Sequence, residues 1–181
     1  MSMYLSTSEY FSGRNLSLYV VVMDTINWID CNLNLDVDMT VDLVTRRSGY
    51  TYWYFQRKFK LITGISISEY IRLSRVINAT NELITTNKNI MSIAIDNGFS
   101  SQQSFTRSFR YYFNKPPGSI RREYYGKHEV FYCIKLELLR HYPLFMAVNN
   151  VEGFNNNLFL YKGGAMGFED NFLNTDNLHQ Y

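Results

Sequence analysis

Cysteine is scarce in this chain. Cys31 and Cys133 are the only two in 181 residues, and they sit far apart in no CxxC or Cys/His cluster. That argues against a disulfide framework, and two free thiols in a reducing compartment are expected. Long apolar runs are also missing, since no stretch reaches the ~18 residues that a membrane span needs. The segment LYVVVM (18–23) lacks a basic leader and a small-residue cleavage pattern, and it stops at Asp24. The expectation is a cytoplasmic protein with no membrane partner. Catalytic signatures are absent too. His128, His141 and His179 lie in the last third, with no HxE or HExxH, no glycine-rich phosphate loop and no GxSxG. No catalytic residue, metal ligand or cofactor site is assigned, and the chain does not read as an enzyme.

With 46% hydrophobic and 19% charged residues the chain can bury a real core, as one moderate domain or two small ones. Formal net charge is only +2, but it is unevenly placed. Residues 1–44 hold one basic against six acidic residues, net −5, and residues 127–181 hold four against six, net −2. Between them, residues 45–126 hold thirteen Lys or Arg against four acids, net +9. A basic middle in a nearly neutral chain suits a polyanion-binding surface.

Helical periodicity dominates that middle. Asp24 is expected to N-cap a helix carrying Ile26, Ile29 and Leu33, and Thr40 to cap a second that stops at Gly49. Thr51 opens a third, whose Phe55, Phe59 and Ile62 should face the core while Trp53, Gln56 and Arg57 form a separate face. Gly64 ends it, and Ser66 with Glu69 makes a capping box for a fourth helix that keeps its period to about residue 85. Helices over 89–98, within 98–113 and after Pro116-Pro117 follow. The fold class is all-α, about seven helices. HEVFYCIKLELL (128–139) alternates partly and is compatible with a short strand, and no ordered domain is read in the tail beyond it.

The chain also repeats itself. Thr45, Gly49 and Tyr50 match Ala94, Gly98 and Phe99 at an offset of 49, and FQRKF (55–59) matches FTRSF (105–109) at an offset of 50. A small residue permits close approach of two helices, glycine permits the tight turn, and the following ring plugs the hinge. Those are the requirements of a helix-turn-helix, whose second helix enters the DNA major groove. The helix over 67–85 would span ~28 Å at 1.5 Å per residue, against ~34 Å between successive major grooves. The two units differ in sequence, so one chain should read a non-palindromic site of about two turns.

The stretch GFSSQQSFTRSFRYYFNKPPGSIRR (98–122) carries the chemistry. Phe105, Phe109 and Phe113 face inward, and Gln103, Arg107 and Arg110 share the outer face. Glutamine pairs bidentately with adenine and arginine with the O6/N7 edge of guanine, whereas Lys and Glu would solvate the face without reading bases.

This stretch, together with WYFQRKFKLITGISISEYIRLSR (53–75), resembles the DNA-binding domain of the AraC/XylS transcription regulators. The likeness is greatest to the short activators of the multiple-antibiotic-resistance and superoxide-response subgroup. It implies two helix-turn-helix subdomains (about 40–62 and 89–113) joined by a linker helix (about 67–85), within a DNA-binding domain of residues 24–126. Residues 1–23 would be an N-terminal extension and 127–181 a C-terminal one. The resemblance places Trp53, Gln56, Arg57, Gln102, Gln103, Ser104 and Arg107 on bases. Tyr52, Lys60, Thr106, Arg110 and Arg121 fall near the DNA backbone. It further implies monomeric binding to double-stranded promoter DNA, activation through RNA polymerase, and no cofactor; no small-molecule effector is named. Two departures stand out. Tyr52 replaces a lysine common in the subgroup, and the tail beyond Gly126 is longer than in the short activators. That tail is a remnant, an oligomerising patch or a disordered extension. The rival reading is an architectural or co-regulatory module that binds DNA with little sequence preference.

Overall fold

Glycine, proline and short polar turns punctuate a chain of amphipathic helices. The computed structural model describes residues 13–33 and 38–140, and every element among them is helical. In order these are α1 (Gly13–Asn32), α2 (Val41–Arg47), α3 (Tyr52–Thr63), α4 (Ile67–Thr85), α5 (Ile90–Asp96), α6 (Gln102–Phe113), α7 (Pro117–Tyr124) and α8 (His128–Arg140). They fall into two compact units that divide between Ile71 and Arg72.

In the first unit α1, α2 and α3 pack on one another. Leu18, Val22, Ile26 and Ile29 form the buried stripe of α1, and buried Leu33 follows just past its end. The helix start expected at Asp24 is therefore corrected to Gly13. The stripe continues through residues 18–26 at helical spacing, but Tyr19, Val20 and Val21 fill the gaps and hide its period in the sequence. Thr40 caps α2 as expected, its hydroxyl accepting the Leu43 N–H at 3.2 Å. At the far end Arg47 reaches α1, 2.7 Å from Asp24 and 5.0 Å above the Trp28 ring. Phe55, Phe59 and Ile62 turn the inner face of α3 into the core. Gly64 stops α3 at φ 86, its N–H closing on the Lys60 carbonyl at 2.9 Å. The Ser66 hydroxyl then accepts the Glu69 N–H at 3.2 Å, the serine limb of the expected capping box.

The second unit holds the rest of α4 and the helices that follow. Asn89 caps α5 through the Ser92 N–H at 2.7 Å, and Ser101 caps α6 through the Ser104 N–H at 3.1 Å. Four rings run in a row from half-buried Phe99 into the core: Phe99 lies 5.0 Å from Phe105, Phe105 4.7 Å from Phe109, and Phe109 5.3 Å from Phe113. Asn114 ends α6 in the left-handed region that asparagine tolerates, and Pro117 opens α7, where its missing N–H costs nothing.

The short strand entertained for 128–139 is a helix, α8, which adds an eighth described helix to the seven that precede it. Its buried residues Val130, Ile134 and Leu138 recur every fourth position, a period the bulky neighbours Phe131, Tyr132 and Leu136 obscured. Gly126 starts it at φ 78, with its N–H on the Ile84 carbonyl at 3.0 Å.

Candidate nucleic-acid interface

The repeat places two outward faces in one register. On α3, Trp53, Gln56, Arg57 and Lys60 stand at i, i+3, i+4 and i+7, and on α6 Gln103, Thr106, Arg107 and Arg110 do the same. Each face lies opposite a phenylalanine pair that is fully buried. Trp53 is 81% exposed, although indoles are highly buried on average. Arg57, Lys60, Gln102, Gln103, Arg107 and Arg110 are exposed, while Gln56, Ser104 and Thr106 are half-buried beside them.

Among the described residues, acids pair with Arg46 (Asp42), Arg47 (Asp24), Lys88 (Glu82 and Asp96) and Lys115 (Glu123). No acid among them pairs with a cation of α3 or α6. Their charges stay available to an external anion such as a phosphate.

The two turns behind these faces are built differently. In the first, Thr45 is buried under the turn, Gly49 takes φ 74, and Tyr50 stacks on Phe55 at 6.1 Å with the rings 5° from parallel. In the second, Ala94 is buried, Gly98 takes φ 71, and a Cβ at Gly98 would lie 3.1 Å from the Arg75 guanidinium. Arg75 thus closes over the second turn. A polar cluster steadies the same region. The Asn97 amide donates to Glu82 at 2.8 Å and to the Ile93 carbonyl at 2.9 Å, and Lys88 bridges Glu82 and Asp96 at 2.8 Å each. Sequence reading missed this cluster because its members lie on three separate segments with no common spacing.

Three site residues have settings the sequence did not disclose. Arg121 is half-buried, and its guanidinium donates to the Lys88 carbonyl at 2.6 Å, so it braces the α4–α5 connection. The Tyr52 ring sits edge-on to the Trp53 indole at 5.2 Å. The Ser104 hydroxyl donates to the Ser101 carbonyl at 2.9 Å. The helix ends differ as well: Thr51 makes no side-chain cap on α3, which leaves the first-turn N–H groups without one, whereas Ser101 caps α6.

Among the described residues there is no His, Cys, Asp and Glu cluster fit for a metal ion, and no helix is long and apolar enough to cross a membrane. Cys31 and Cys133 are both free thiols.

Comparison with known proteins agrees with this geometry. A family described as a helix-turn-helix domain matches residues 44–123. The Transposon Tn10 TetD protein of Escherichia coli is 46% identical over 102 residues, covering 56% of this chain and 72% of TetD. The regulatory protein SoxS of Escherichia coli strain K12 is 41% identical over 101 residues, covering 56% of this chain and 92% of SoxS. Among solved structures, the DNA-binding domain of the global transcriptional factor AdpA, in complex with a target DNA, shares the fold. Its TM-score is 0.54 at 22% identity, over 57% of this chain and 91% of that one. The chain belongs to the AraC/XylS family of DNA-binding transcription regulators, alongside TetD and SoxS.

Proposed function

We propose that this regulator binds an asymmetric promoter site as a monomer and activates transcription by contacting RNA polymerase. The observation that carries this reading is the repeated outer face of α3 and α6, with equal spacing and none of its cations paired to an acid among the described residues. The pairs α2/α3 and α5/α6 act as two helix-turn-helix motifs within a DNA-binding domain of residues 24–126, and α4 links them. Trp53, Gln56 and Arg57 read bases in one major groove. Gln102, Gln103, Ser104 and Arg107 read them in the next. Tyr52, Lys60, Thr106 and Arg110 hold phosphates. Arg121 joins them with the guanidinium edge left over from its bond to Lys88. The protein works in the cytoplasm, on the nucleoid.

The two motifs present different chemistry at equivalent positions, an indole at Trp53 against an amide at Gln103, so the half-sites differ and a symmetric dimer is not needed. Native mass spectrometry on a selected duplex tests this. One chain per duplex of about two turns is expected; two chains on one such duplex would refute monomeric binding. Transcription in vitro from the same site with purified polymerase tests activation, where an unchanged yield would refute it.

A further inference from the structure

We propose that Ser104 selects a base bearing an exocyclic amino group, adenine or cytosine, beside the base read by Arg107. The inference rests on α6 being a recognition helix and adds the direction of one hydrogen bond. A serine hydroxyl has one proton to donate and lone pairs to accept with. Here the proton is committed, because the Ser104 Oγ donates to the Ser101 carbonyl at 2.9 Å. That carbonyl is itself fixed: it also accepts the Phe105 N–H at 3.1 Å, and Phe105 is fully buried. What the hydroxyl offers outward is lone pairs.

The other base-reading residues of α6 do not duplicate this. Arg107 can only donate, and Gln102 and Gln103 can do either. Ser108 also commits its hydroxyl, donating to the Ser104 carbonyl at 3.1 Å. In the major groove adenine N6 and cytosine N4 donate, whereas guanine O6 and thymine O4 accept. Accepting from an amino group adds a bond to those already present. Donating to a keto oxygen would first break the bond to Ser101. The difference is one neutral hydrogen bond, about fivefold in affinity.

The test uses the full chain, Ser104→Ala, Ser104→Thr and Arg107→Ala on a duplex enriched by selection. Each adenine or cytosine of the α6 half-site is replaced in turn by the same base without its amino group. At one position the deletion should cost the wild type and Ser104→Thr about fivefold, and cost Ser104→Ala nothing further. If the preference that Ser104→Ala loses is for guanine or thymine, the proposed direction is wrong. If Ser104→Ala leaves every preference intact while Arg107→Ala still relaxes one, Ser104 is no base reader although α6 is the recognition helix. If neither variant changes any preference, the reading of α6 fails and this inference with it.

Discussion

Trp53 and Phe55 lie two residues apart on α3 and meet opposite fates, one 81% exposed and the other fully buried. Trp53→Ala should leave thermal stability within ~0.5 kcal/mol of wild type while weakening DNA binding. Phe55→Ala should cost ~3–5 kcal/mol of stability through the cavity it leaves. Thermal melts and binding isotherms on the two variants separate these roles, and equal destabilisation by both would deny Trp53 its external task. Arg107→Ala should lose ~1–3 kcal/mol at one half-site and relax preference there. A uniform loss on specific and random DNA would make Arg107 a phosphate contact. The inner and outer faces at this scale were legible from spacing alone, because burial of Phe55, Phe59, Phe105 and Phe109 follows the helical period. The partners of Arg75, Arg121 and Ser104 were not legible. Arg75 and Arg121 meet segments that the turns bring close, and Ser104 turns back to a carbonyl three residues upstream, none of which a side-chain pattern encodes.

At the scale of elements, caps and turns make the two helix pairs unequal. Ser101→Ala removes the N-cap of α6 and should cost ~0.5–2 kcal/mol, whereas Thr51→Ala, with no cap bond to lose, should be near neutral. Both turn glycines have positive φ, so alanine strains either one. At Gly49 the new Cβ meets nothing within 4 Å, but at Gly98 it must displace the Arg75 guanidinium. Gly98→Ala should therefore melt lower than Gly49→Ala, and the reverse order would remove Arg75 from the second turn. In α7, burial alone would raise the Glu123 carboxyl. The Tyr124 hydroxyl and the Lys115 ammonium outweigh it and hold Glu123 below its ordinary value. Its stabilising contribution is thus present above the ordinary carboxylate pKa and is lost as pH falls through the lower folded value. Glu123→Gln should accordingly flatten the acid limb of stability against pH. Glycine and cap signals made α2 to α7 readable, since each boundary has a residue suited to it. The start of α1 and the nature of α8 were misread where bulky apolar side chains filled the positions between core residues and blurred a 3.6-residue period.

For the whole molecule, a formal charge of +2 conceals a net +9 over residues 45–126, and no acid among the described residues pairs with the cations that α3 and α6 add to it. A chain ending at Gly126 loses the buried Val130, Ile134, Leu138 and Leu139 of α8, so it should melt below one ending at Arg140. Below its melting point its DNA affinity should be nearly unchanged; a large loss in the folded truncation would make α8 part of the DNA-binding unit. The central claim is that this chain reads sequence and does more than hold phosphates. Selection from a random-duplex pool, followed by affinities of the winning and a scrambled duplex across a salt series, tests it most directly. One asymmetric site of about two turns is expected, with a preference of ~10³ or more that persists as both affinities fall with salt. No enriched site, with affinity collapsing equally on all DNA, would contradict it and favour an architectural role.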